Sequence, residues 1–256
     1  MIKKFTCPQI IAHRGASYYA PESTPAAIEL AAAQGAKWVE VDLQLTQDDN
    51  IVIMHNSTVN KRTNGTGKII KLNTKDITKL DAGSWHSEKY KGQNVLSLEA
   101  LIKLIERLNI NVNLEIKTLA GKNIKTAMIV ANLLKKYWPE KKALPLVSSY
   151  STNAIETMLQ FFPEVPRAII VGEWNNYWAQ VVTSLKCVSI NADRRVINEV
   201  VLADMHSTGK KVLIHTVNGL KSATNFIKMG VDGVFTDRPD VIIQGLKKNN
   251  LYREKA

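Results

Sequence analysis

Cysteine is almost absent: the chain has 2 in 256 residues, Cys7 and Cys187, far apart and without metal-ligand spacing. That excludes a disulfide framework or a thiolate metal site and is the pattern of a reduced, intracellular protein. No apolar run approaches the roughly 20 residues that span a bilayer. After Lys3 and Lys4 the apolar stretch is only Ile10, Ile11 and Ala12 before Arg14, too short for a signal-peptide core, so a cytoplasmic location is expected. No strongly apolar amphipathic segment is present to lie on a bilayer, and stable membrane association is not expected. Low-complexity tracts, Pro- or Ser-rich linkers and like-charge runs longer than a pair are also missing, which leaves one domain over residues 1–256.

What is there is ordinary for a buried core: 45% apolar and 22% charged residues. Lys and Arg number 34 against 23 Asp and Glu, a net +11 that favours phosphorylated or polyanionic partners by steering. The basic residues are spread along the whole chain rather than gathered in a patch, which argues against nucleic acid. Nothing in the sequence fixes an oligomeric state.

Short β-rich runs alternate with helical patterns. "QIIAH" ends at His13; Thr24 then N-caps "PAAIELAAAQG", with Pro25 at the first helical position and Gly35 past the end. "WVEVDLQL" is a second strand, which "IVIMH" extends; "VNLEIK" at 112–117 is a third, after a helix near 98–108. Strands follow at 144–150, 167–171, 187–193, 211–217 and 231–237, with helices clearest at 123–137, 196–208 and 219–229. Strand–helix alternation implies right-handed parallel crossovers, and eight units in this length predict an α/β protein, a (β/α)₈ TIM barrel. A doubly wound open sheet is the alternative, but no glycine-rich fingerprint follows the first strand. Residues 56–97 break the rhythm and read as a small cap inserted after strand two.

In a barrel, chemistry belongs at the C-terminal strand ends. His13 and Arg14 end strand one, and His55 ends the extension of strand two. Glu40 and Asp42 lie one residue apart on strand two, as do Glu115 and Lys117 on strand three, so each pair shares a face. Singly, each is explained by a solvated face or a surface ion pair. Together they place three carboxylates, two histidines, an arginine and a lysine at one mouth. Three carboxylates suit one hard divalent cation, Mg²⁺ or Ca²⁺, more than zinc. Arg14 offers a planar fork to phosphate and Lys117 a point charge, while His13 and His55 can act as base and acid. That set describes phosphodiester cleavage.

The stretches "AHRGASYYAPESTPAAIE", "VEVDLQLTQD", "IVIMHN", "LEIK", "TVN" and "GVDGVFTDRPD", in this order over nearly the whole chain, resemble the motifs of the glycerophosphodiester phosphodiesterases. "RTNGTG" and "DAGSWHS" in the insertion resemble the small bacterial cytoplasmic members. The resemblance implies metal-dependent hydrolysis of glycerophosphodiesters, such as glycerophosphocholine, to glycerol 3-phosphate and an alcohol. It implies catalytic roles for His13 and His55, metal ligation by Glu40, Asp42 and Glu115, and phosphate binding by Arg14 and Lys117. It places Glu22 in the floor of the site and His215 in the alcohol pocket. Three positions depart from the family pattern: Ser23 stands for asparagine, Asn56 for aspartate, and His215 for an aromatic residue. They bear on rate and preference, not on reaction class. The competing readings are a lysophospholipid-cleaving relative and a barrel that binds a phosphate ligand without turnover.

Overall fold

The computed structural model describes residues 5–253. Nine strands and nine α-helices run in chain order: β1 (Ile10–His13), α1 (Pro25–Ala33), β2 (Trp38–Leu45), β3 (Ile51–Ile53), α2 (Thr74–Ile77), α3 (Leu98–Arg107), β4 (Asn111–Ile116) and α4 (Asn123–Tyr137). After them come β5 (Leu146–Ser149), α5 (Thr152–Phe161), β6 (Arg167–Val171), α6 (Asn176–Ser184), β7 (Ser189–Asp193) and α7 (Glu199–Ser207). The last are β8 (Lys211–His215), α8 (Leu220–Met229), β9 (Gly233–Thr236) and α9 (Pro239–Lys248).

Eight strands pair in parallel and close where β1 joins both β2 and β9, giving a (β/α)₈ barrel. The expected extension of β2 is instead an antiparallel strand: β3 turns back on β2, with Ile53 opposite Leu43 and Ile51 opposite Leu45. The physical reason is the connection, five residues from Thr46 to Asn50, too short for a parallel crossover but sufficient for a hairpin. Thr46 holds that turn by accepting from the Asn50 amide and donating to Asp48.

Strand periodicity divides the barrel residues. Val39, Val41, Leu43 and Leu45 of β2 pack outward among the helices in the main core. Trp38 faces inward with Ile11, Leu146, Ala168, Leu213 and Phe235 as an apolar plug. Two residues further along four of these strands, on the same face, come Glu40, His13, Ser148 and His215. The plug therefore forms the base on which a polar layer stands at the C-terminal end. The segment between β3 and α3 packs on Val52 of β3 to form a small core of its own with Met54, Val59, Ile69, Ile77, Ala82 and Val95.

Candidate active site

All eight residues of β2 are buried, so the Glu40 and Asp42 face is not wet; the two residues are 3% and 1% exposed. The register sets Glu40 beside His13 of β1 and Asn113 of β4, and Asp42 beside Glu115. One oxygen each from Glu40, Asp42 and Glu115 lies within 4.8 Å of the others. Such crowding is costly in charge. Burial, then Asp42 and Glu115, push the Glu40 carboxyl well above its usual range, and burial with Asp42 raises Glu115. Asp42 is held low despite burial, because Lys117 and Arg14 flank it. Lys117 Nζ lies 3.2 Å from Asp42 and 2.8 Å from Glu115. Glu40 Oε1 is buried with no hydrogen-bond partner among the described residues. A buried orphan oxygen beside two more carboxylates fits a hard divalent cation, and these three residues could hold one.

The β1–α1 loop brings the arginine. Arg14 has φ +56° and Gly15 φ +83°, both left-handed. A Cβ on Gly15 would meet the Ala27 carbonyl at 2.6 Å, so the loop closes against α1 only with glycine there. Thr24 accepts from the Ala27 amide as the N-cap of α1, as its position in the sequence predicts. Arg14 Nε then reaches Asp42 at 3.2 Å, and Nη1 reaches Glu22 at 3.4 Å. Burial opposes the guanidinium charge, but Asp42, Glu40 and Glu22 outweigh it.

Two histidines flank the acids. His13 Nδ1 donates to Asp237 Oδ1 at 2.7 Å, because an ionised carboxylate can only accept, and its Nε2 lies 3.9 Å from Glu40. Burial works against the Asp237 charge, yet His13, Asn218 and Ser17 hold its pKa down to about 2. His55 follows β3 by two residues; its Nδ1 donates to Asn56 Oδ1 at 3.0 Å. Burial, with Arg14 and Lys117 nearby, lowers the His55 pKa against the pull of Asp42. In each ring Nδ1 is engaged by its partner, which leaves Nε2 as the nitrogen outside that hydrogen bond.

A cavity of about 220 Å³ opens here, lined by His13, Arg14, Glu40, His55, Glu115, Lys117 and His215, among others. Asp42 supports it from behind. Glu22 does not line it: it stands behind Arg14, bordering a separate small crevice with Arg62. His215 stands across the mouth, 3.3 Å from Tyr150 Oη, and burial drives its pKa to about 4. Two residues near this site escaped the sequence reading. Asp237 sits in the "GVFTD" run at the end of β9, and a strand-end carboxylate was the available signal. Arg62 lies in the insertion and had no local signal.

A profile of the "Glycerophosphoryl diester phosphodiesterase family" matches residues 13–241. The chain is 32% identical to YhdW of Bacillus subtilis, over 94% of this chain and 99% of that protein. It is 31% identical to the glycerophosphodiester phosphodiesterase of Caldanaerobacter subterraneus, over 93% and 98%. Among solved structures, an Oleispira antarctica phosphodiesterase in complex with its product sn-glycerol-3-phosphate matches with TM-score 0.90 and 32% identity, over 94% of this chain and 97% of that one.

Proposed function

From a chain that belongs to the glycerophosphoryl diester phosphodiesterase family, and is an enzyme of that class, we propose hydrolysis of glycerophosphodiesters such as glycerophosphocholine and glycerophosphoethanolamine. The products are sn-glycerol 3-phosphate and the free alcohol. The observation that carries this reading is the layer of three clustered carboxylates flanked by Arg14, Lys117 and two histidines in one cavity.

Glu40, Asp42 and Glu115 would hold one divalent cation, Mg²⁺ or Ca²⁺, and the chemistry it would supply there is polarisation of a phosphoryl oxygen. Arg14 and Lys117 bind the phosphate oxygens and orient the diester. One histidine takes a proton at Nε2 from the attacking oxygen: water gives glycerol 3-phosphate directly, whereas the glycerol 2-hydroxyl gives a cyclic phosphate that a second attack by water, with the histidine roles exchanged, opens to glycerol 3-phosphate. As the new P–O bond forms and the old one breaks, the other histidine returns a proton to the leaving alcohol. Tyr150 and His215, which line the same cavity, take the alcohol in this reading. Residues 1–256 act as one cytoplasmic unit on a small-molecule substrate, with 56–97 as a cap beside the mouth.

The test is release of sn-glycerol 3-phosphate from glycerophosphocholine, with chelator and after readdition of Mg²⁺ or Ca²⁺. Release that stops and returns supports the reading. No release with any cation from either substrate overturns it and moves attention to lysophospholipids.

A further inference from the structure

Three polar contacts carry the insertion onto the loop that displays Arg14 and the first turn of α1 behind it. Tyr90 Oη donates to the Tyr19 carbonyl at 2.9 Å, the Ala26 amide donates to Gln93 Oε1 at 3.1 Å, and Arg62 Nη2 lies 3.3 Å from Glu22 Oε2. The last of these continues into the site. Glu22 stands between two guanidiniums, Arg62 on one oxygen and Arg14 Nη1 on the other at 3.4 Å. Arg62 is itself held: its guanidinium lies 4.1 Å from the centroid of the Trp85 ring, and Trp85 Nε1 donates to the Ala82 carbonyl at 2.8 Å. A cation over an indole face is attracted to it, and the planar guanidinium stacks there as an ammonium does not.

Resting on the hydrolysis reading, we infer that Arg62 is a positioning residue of the phosphate clamp. Arg14 already faces Asp42 at 3.2 Å as well as Glu22. A guanidinium that gives Nη1 to Glu22 and is drawn by its charge to Asp42 as well is less available to a phosphate. Arg62 shares the charge of Glu22, so Glu22 steers the Arg14 fork without capturing it. The chain Trp85–Arg62–Glu22–Arg14 thereby connects the insertion to the substrate's phosphate and gives the insertion a role in affinity.

The test compares Arg62→Ala, Arg62→Lys and wild type for KM and kcat with glycerophosphocholine, and for direct calorimetric binding of sn-glycerol 3-phosphate. Arg62→Ala is expected to weaken KM and product affinity about tenfold with kcat within about threefold, and Arg62→Lys to fall between, keeping the charge but losing the fork. In a Glu22→Gln background, Arg62→Ala is expected to change product affinity less than about twofold, since no carboxylate remains to be shared. Unchanged affinity in Arg62→Ala overturns the inference, and so does an equal tenfold loss in the Glu22→Gln background, which assigns Arg62 to general steering. If Arg62→Ala melts early, Arg62→Lys in the two backgrounds decides by the same criterion. A wild type that binds sn-glycerol 3-phosphate but cleaves no diester defeats the hydrolysis reading while the binding arm still decides this one; a wild type that does neither defeats both.

Discussion

Replacing Asp237 by asparagine tests the hydrogen-bond chain behind His13, because the neighbours dictate which way the new amide must face. Asn218 Oδ1 accepts from the Asp237 amide at 2.8 Å and from Thr236 Oγ1 at 3.2 Å, so its Nδ2 is the group that donates to Asp237 Oδ2 at 2.6 Å. The side-chain amide introduced by Asp237→Asn would have to offer its carbonyl oxygen to that donor. Its own NH₂ would then face His13 Nδ1, where the carboxylate had accepted at 2.7 Å. A donor facing Nδ1 forces the neutral ring to carry its proton on Nε2 and disfavours the doubly protonated ring. Either way the proton transfer assigned to His13 Nε2 is impaired. General acid–base catalysis contributes about 10²–10⁴-fold, so kcat is expected to fall by that factor, about 2.7–5.4 kcal/mol in barrier.

The assay is initial-rate release of sn-glycerol 3-phosphate across pH, beside a thermal melt. The exchange variant Asp237→Asn with Asn218→Asp supplies the control. The carboxylate that this double variant places at position 218 can accept from the backbone amide of residue 237 and from its new NH₂, which turns the side-chain carbonyl of residue 237 back to His13. Recovery of at least about tenfold is expected. A single variant within about threefold of wild-type kcat, or a double variant no better than the single one, refutes the reasoning.

Gly15→Ala combines left-handed strain of about 1–2 kcal/mol with overpacking of about 1–3 kcal/mol against Ala27, and a melting temperature lower by roughly 5–15 °C is expected in a thermal scan. Because burial and mutual repulsion raise Glu40 and Glu115, these groups destabilise the fold above their unfolded pKa values. Mg²⁺ or Ca²⁺ at about a hundred times Kd is therefore expected to raise the melting temperature roughly 5–10 °C at pH 7–8, less as pH falls, and much less in Glu40→Gln. His215 is pushed down from 6.5 to about 4, so it gives stability above pH 6.5 that is lost as pH falls toward 4; the drop in melting temperature from pH 7 to pH 5 should shrink in His215→Phe, and equal drops would count against it. Asn56→Asp places a carboxylate where an amide oxygen now lies 3.0 Å from His55 Nδ1, and the limb of the pH–rate profile belonging to His55 should move up by about one unit.

The barrel was legible because short β-rich runs, of which β2 alternates with period two, are separated by helical stretches with start or stop signals; Ser97 and Ser151, like Thr24, accept from the amide three residues on. The direction of β3 was legible only through the length of the turn before it, since a periodic run of three apolar residues looks the same in either direction. Strand ends shifted by one or two residues: the strand expected over 187–193 begins at Ser189, and Lys117 falls just past β4 rather than within it. The nine proposed site residues share one end of the barrel because strand ends concentrate there by topology. What could not be read was the partnership. Glu22 pairs with Arg62 across 40 positions through the docked insertion, and His13 with Asp237 across 224 through barrel closure, and no local pattern encodes contacts that only tertiary packing creates.

The geometry of the site is held mainly by sheet register, and β2 is the reason. Its first half pairs with β1 through Val39 and Glu40, its second half with β3 through Leu43 to Leu45, and its other edge with β4 from Trp38 to Leu43. Where β1 ends at His13, β3 takes over the same edge, and the Met54 amide continues the ladder by donating to the Asp42 carbonyl at 2.9 Å. One strand thus sets His13 beside Glu40, Glu115 beside Asp42, and His55 just past the point where the hairpin ends. A one-residue slip anywhere along β2 would turn Glu40 and Asp42 outward into the apolar layer of Val39, Val41 and Leu43. Burying two carboxylates there unpaired is prohibitive, so the outward apolar residues enforce the register that the inward acids need. Packing and chemistry on this strand are therefore two faces of the same alternation.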